Sequence, residues 1–289
     1  MRLRSSFLSA AVAGLAAACR GAAPVPAAAP PPPVQPIDPV AVAPVAATTS
    51  WLYRPTADRR AFVLSQRAVV SIKQDSLVRV DTVSSRAEVS FATTNGRVAG
   101  SVTAYLASGA GREAAPIAGV RFPVTLSGSL PVHGEQLTFT APSSATPCTS
   151  PATTAAHSVR DLWFRAPDTL RVGTTWSDST RYAICRDGIP LFLRVIRDFR
   201  VTGSAERNGR IVLTVLRLSR TALTGDGDQF GERVSITASG TGELTYEIAP
   251  LAGELLRAQG TSTLDLTFRS ALRVQQVRQI SEIALARAN

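Results

Sequence analysis

The sequence predicts a mainly β domain of antiparallel meanders. It carries an internal duplication that forms a curved sheet, a barrel-like fold or a sandwich, with one or two short helices. Three observations predict this: apolar side chains recur with period two from Ala61 onward, turn dipeptides separate the runs, and short motifs recur at a nearly fixed spacing. Alternation of this kind marks strands with one face buried and the other wet.

The first run places Phe62, Leu64, Ala68, Val70 and Ile72 on one parity, against Ser65, Arg67, Ser71 and Lys73 on the other. A longer one sets Val234, Ile236, Ala238, Gly240, Gly242, Leu244, Tyr246 and Ile248 against Arg233, Ser235, Thr237, Ser239, Thr241, Glu243, Thr245 and Glu247. Leu264, Leu266 and Phe268 repeat the pattern. Asn95-Gly96 and Asn208-Gly209 are hairpin-turn dipeptides. The two helical candidates are Ala155 to Phe164 and the C-terminal turn Gln279 to Arg287. Strands as long as 233–248 bend, and Gly240, Gly242 and Gly260 offer places to do so.

Trp51-Leu52-Tyr53-Arg54-Pro55 recurs as Trp163-Phe164-Arg165-Ala166-Pro167, and Ser127-Gly128 as Ser239-Gly240, both 112 residues on. Asn95-Gly96-Arg97-Val98 returns as Asn208-Gly209-Arg210-Ile211 after 113. Gly134-Glu135-Gln136-Leu137-Thr138-Phe139 returns as Gly242-Glu243-Leu244-Thr245-Tyr246 after 108 or 107, a slip that an insertion at Leu130 to His133 explains. The collinear order predicts two β repeats, 49–145 and 146–289, forming one globular unit, the second with extra C-terminal strand. A transmembrane β-barrel also alternates, but it needs aromatic girdles and the chain has four tyrosines.

Composition narrows the classes. Of 289 residues, 18% are charged and 45% apolar, which excludes a wholly disordered chain. The net charge of +10 rests on scattered arginines, with Lys73 the sole lysine, and indicates a solvated surface and no nucleic-acid partner.

Arg2 and Arg4 precede a short apolar stretch, Phe7 to Ala18, that ends in small side chains, the pattern of a secretory signal peptide over 1–18. Leu15-Ala16-Ala17-Ala18-Cys19 resembles the lipobox of bacterial lipoproteins, with its leucine four positions before the cysteine where the family has three. The resemblance implies an acylated Cys19, hence a membrane anchor. With Arg20 next instead of an inner-membrane retention Asp, it implies an outer-membrane position facing the periplasm. Plain signal cleavage after Ala18 is the alternative. Residues 19–48 continue as a Pro/Ala-rich tether around Pro30-Pro31-Pro32-Pro33.

With Cys19 lipidated, Cys148 and Cys185 remain as a disulfide pair for an oxidising compartment, unless both stay as free thiols. The 38-residue loop between them would stabilise the fold by roughly 4 kcal/mol in the chain-entropy model.

Chemistry is sparse. Two histidines, His133 and His157, exclude an H-E-x-x-H zinc site, and Val70 stands where an S-x-x-K serine would precede Lys73. Asp226, Asp228 and Glu232 are a weak Ca²⁺ candidate, with a polar hairpin loop as the alternative. No cofactor motif is present. Trp51, Trp163 and Trp176 either line a ligand site or pack in the core. The expected function is non-enzymatic: a lipid-anchored envelope protein binding a hydrophobic ligand or an envelope partner. The alternatives are a structural or interaction lipoprotein and a secreted hydrolase. Mass spectrometry of the mature N-terminus is expected to find an acylated Cys19, and an unmodified start at or beyond that residue would exclude the anchor. In a non-reducing peptide map, Cys148 and Cys185 are expected in one cross-linked species.

Overall fold

The computed structural model describes residues 49–56, 58–94, 97–109, 113–116, 121–129, 136–140, 164–186, 189–229 and 231–288. Two short strands, β1 (Trp51–Leu52) and β8 (Thr169–Leu170), pair apart from the rest. The main sheet contains β2 (Arg60–Gln74), β3 (Leu77–Thr94), β4 (Arg97–Gly109), β5 (Ala115–Pro116), β6 (Val124–Ser129) and β7 (Gln136–Thr140). It continues with β9 (Thr175–Arg186), β10 (Ile189–Arg207), β11 (Arg210–Gln229), β12 (Glu232–Ala249), β13 (Glu254–Arg269) and β14 (Val274–Arg287). A 3-10 turn, Pro250–Ala252, links β12 to β13.

Apart from the two-residue β5 at the rim, each strand of the sheet pairs with the next in sequence, and β14 pairs back with β2. The result is a strongly curved, barrel-like sheet whose pairings run round eleven strands. An odd number of strands cannot alternate in direction all the way round, so one neighbouring pair must be parallel. That pair is β7–β9, joined by two residue pairs beside the three of β6–β7, against seventeen between β11 and β12. Among the described residues the fewest pairings fall there.

Period-two alternation decides which side chains enter the interior. Two apolar clusters fill it. One gathers Phe62, Leu64, Phe199, Val215, Tyr246 and Leu285 with the end strap, and the other gathers Val70, Val83, Leu191, Leu223, Ile236 and Val277. The strap is Trp51 to Tyr53, paired with the β8 segment and closed by Tyr53 N–H donating to the Asp168 carbonyl at 2.7 Å. It packs across one end of the domain, where Glu254 accepts from Arg60 at 2.8 Å and Arg287 at 3.5 Å. Gly253 completes this end at φ 64°, with its Cα against the Arg54 carbonyl and its own carbonyl accepting from Thr56 N–H at 3.0 Å. A side chain there would meet backbone.

The spacing of 112 carries over in part. Adding 112 to the limits of β3 gives 189–206, against 189–207 for β10, and adding it to those of β4 gives 209–221, within one residue of lying inside β11. Inward parity carries over too: Val83, Ala87 and Val89 face in, as do Val195, Phe199 and Val201. Each hairpin has one register break, but on opposite strands: Thr103 of β4 is the extra residue in the first and Thr202 of β10 in the second. The last motif match does not carry over. β6 and β7 are separate strands, whereas both of their counterparts lie in the uninterrupted β12.

The C-terminal segment Gln279 to Arg287 is strand rather than helix. Val277, Gln279, Ser281 and Leu285 alternate inward, and β13 and β2 satisfy the backbone on both sides. The other helical candidate lies outside the described residues except for Phe164, which is non-helical and buried. The described residues contain no α-helix.

Burial pushes the Tyr53 phenol up to about 12. The unfolded chain releases this proton near pH 10 while the fold retains it, so the contribution is complete below pH 10 and is lost as pH rises toward 12. Two units correspond to about 3 kcal/mol. Urea melts of Tyr53→Phe are expected to show a shallower loss of stability over that window than the wild type.

Candidate functional site

Between the two apolar clusters the interior carries a polar belt: Asp178 and Thr180 on β9, Arg197 on β10, Arg217 and Ser219 on β11, and Gln279 and Ser281 on β14. Arg197 and Asp178 stand directly opposite in the register and are both nearly inaccessible. The Arg197 Nε donates to Asp178 Oδ1 and its Nη2 to Oδ2, each at 2.6 Å, the two-pronged geometry that suits a guanidinium and a carboxylate. One rung down, Trp176 stacks on Phe199 at 5.0 Å, and Phe164 meets both rings and Tyr246. Arg217 donates to the Tyr246 hydroxyl at 3.1 Å. The pair is enclosed on all sides, so it organises the interior and offers no reacting group to solvent.

The outer wall is wet along its length. Arg220 bonds Asp198 at 3.1 Å, Arg278 approaches Asp265 at 3.8 Å and Arg67 approaches Glu282 at 3.9 Å, all on outward positions of long strands. Glu247 is held by Arg207 at 2.9 Å and Arg257 at 2.6 Å. Burial alone would raise its pKa, but the bonds and charges of Arg257 and Arg207 outweigh it and hold the carboxyl below its ordinary value. A lipid-facing barrel wall carries an apolar band instead. The described part of this wall carries these charges.

Among the described residues, two outer grooves exceed the roughly 300 Å³ that ligand sites begin at. One, of about 480 Å³ over β9, β10 and β11, is lined by Arg181, Ala183, Phe192, Arg194, Ala222 and Thr224. The other, of about 420 Å³ over β14, β2, β3 and β4, is lined by Ser65, Arg67, Ser84, Arg86, Leu106 and Glu282. Neither brings two carboxylates together among the described residues, the arrangement a glycoside hydrolase requires.

Of the residues singled out in the sequence, Cys19 and Cys148 lie outside the described residues, as do His133, His157 and Trp163. Cys185 lies on β9. Asp226 and Asp228 sit on outward positions near the end of β11, and Glu232 begins β12. Asp226 is engaged by Arg233 across the hairpin, and among the described residues no three His, Cys, Asp or Glu side chains stand together as a metal site. Trp51 is buried in the strap and Trp176 is half-buried in the aromatic cluster, so both are packing residues. Sequence reading passed over Arg181, Phe192, Arg194, Asp178 and Arg197. A signal for the last existed, since Arg197 interrupts the apolar parity of Leu191, Leu193, Val195, Phe199 and Val201.

No protein-family model and no curated protein matches the chain. Among solved structures, Neisserial surface protein A is similar over 80% of this chain and 99% of its own, at 8% identity and a TM-score of 0.23. A mutant of Rh. blastica porin is similar over 78% and 99%, at 9% identity and the same TM-score of 0.23. Likenesses this slight decide nothing about function.

Removing one partner of the buried pair strands the other charge. Arg197→Met is expected to destabilise the domain by about 3–5 kcal/mol in denaturant melts, and Arg197→Met with Asp178→Leu to recover most of the loss.

Proposed function

We propose that this protein is a non-enzymatic, lipid-anchored binding module of the bacterial envelope. The signal peptide and acylated Cys19 place it at a membrane, the 19–48 tether spaces it from the surface, and the β domain binds an amphipathic ligand on its outer wall. The observation that carries the reading is the groove of about 480 Å³ over β9–β11, a ligand-sized concavity with an exposed aromatic side chain flanked by two exposed arginines. Among the described residues apolar clusters occupy the interior, which supports an external binding surface, unlike that of a carrier that swallows its ligand.

That packing also favours a second reading, an interaction lipoprotein that docks an envelope protein on the same wall. Outer-membrane placement facing the periplasm rests on Arg20 in the lipobox resemblance. The long strand pairings of β2–β4 and β9–β11 support descent from a duplicated unit, with the Cys148–Cys185 bridge at its seam.

Native mass spectrometry of the full chain released from its own membranes is expected to show an adduct of amphiphile mass. A chain free of adducts, which also fails to bind any added amphiphile, would leave the interaction reading alone.

A further inference from the structure

We infer that the groove over β9–β11 takes one anionic amphiphile, its acid group held between Arg181 and Arg194 and its hydrocarbon chain laid along Phe192. This rests on the external-ligand reading above and names the chemistry of that ligand. The register sets Arg194 directly opposite Arg181 on the outer face, and both are exposed. Like charges in that relation repel, and natural sheets place opposite charges there. Five other arginines of this wall do have such a partner: Arg67 has Glu282, Arg220 has Asp198, Arg233 has Asp226, Arg257 has Glu247 and Arg278 has Asp265. Among the described residues no carboxylate forms an ion pair with Arg181 or Arg194. An anion set between the two guanidiniums would supply the missing charge and accept two-pronged hydrogen bonds from either.

The next rung explains why the anion should carry a hydrocarbon chain. Phe192 is 60% exposed and stands between Ala183 and Thr224, while Arg194 has Ala222 as its neighbour on β11. Short side chains on both flanks leave the ring face and the stems of the arginines as a continuous apolar floor. A concavity of about 480 Å³ accommodates a single chain. A bilayer surface would instead require a protruding face, so a monomeric amphiphile is the occupant.

Titration calorimetry of the full chain with dodecanoate, and with dodecanol as its uncharged counterpart, tests this below the aggregation limit of each. Dodecanoate is expected to bind one per chain, at least about tenfold tighter than dodecanol, and to weaken as salt is raised. Arg181→Gln with Arg194→Gln should reduce dodecanoate to the dodecanol level, and Phe192→Ser should weaken both. Arg181→Glu should abolish dodecanoate binding while raising the melting temperature, a combination that a purely structural pair would not give. Equal affinity for the two probes, or wild-type affinity in the double Gln variant, would overturn the assignment. So would adsorption to phosphatidylglycerol vesicles without dodecanoate binding. An amphiphile adduct that survives all three variants would overturn this site while leaving the external-ligand reading intact.

Discussion

Thirteen consecutive residue pairs between β14 and β2 bring the end of the domain against its first long strand, and the rest of the structure depends on that join. Strand pairing between segments some two hundred residues apart costs loop-closure entropy before any contact repays it. What repays it is the inward parity of both strands. Val277 and Leu285 enter the same interior as Val70 and Leu64, and a slip of one residue would turn all of them out to water. The remaining pairings are between strands adjacent in sequence. Without the join they would form an open meander with two unpaired edges.

An interior bounded by eleven strands is wider than one that side chains fill unaided. This domain divides the space. Aromatic side chains and the Trp51–Tyr53 strap fill one end, aliphatic side chains fill the other, and the Asp178–Arg197 pair with its polar neighbours lies between them. A bidentate pair satisfies more of its own hydrogen-bonding groups than two separate polar residues would, which makes it tolerable at that depth. Replacing both partners with apolar groups can be neutral, so the pair is no measure of stability by itself.

The outer wall shows the opposite logic. Several of its arginines have a carboxylate one rung away, so part of the positive charge appears on the surface as matched pairs. Part of the remaining excess sits at Arg181 and Arg194, beside the exposed ring of Phe192. Charge counting along the chain could not find it. Neighbourhood across strands, and not along the sequence, decides which arginine is matched.

The sequence by itself determined the mainly β class, the antiparallel pairing, the bend-prone length of the strands and the inward face of each, because alternation is a local property that burial reads directly. Residues such as Asn208 and Gly209 were equally legible, since both need positive φ in their turn. At the C-terminus local pattern misled. Gln279 and Ser281 look polar and helix-compatible, and only the interior belt explains them as inward strand positions. Tertiary structure alone decided that the meander curls into a ring and not a sandwich, that Arg197 meets Asp178 inside, and that Arg181 meets Arg194 outside. Each of these depends on register between strands. Register is settled by the summed burial of whole faces, which no single stretch of sequence contains.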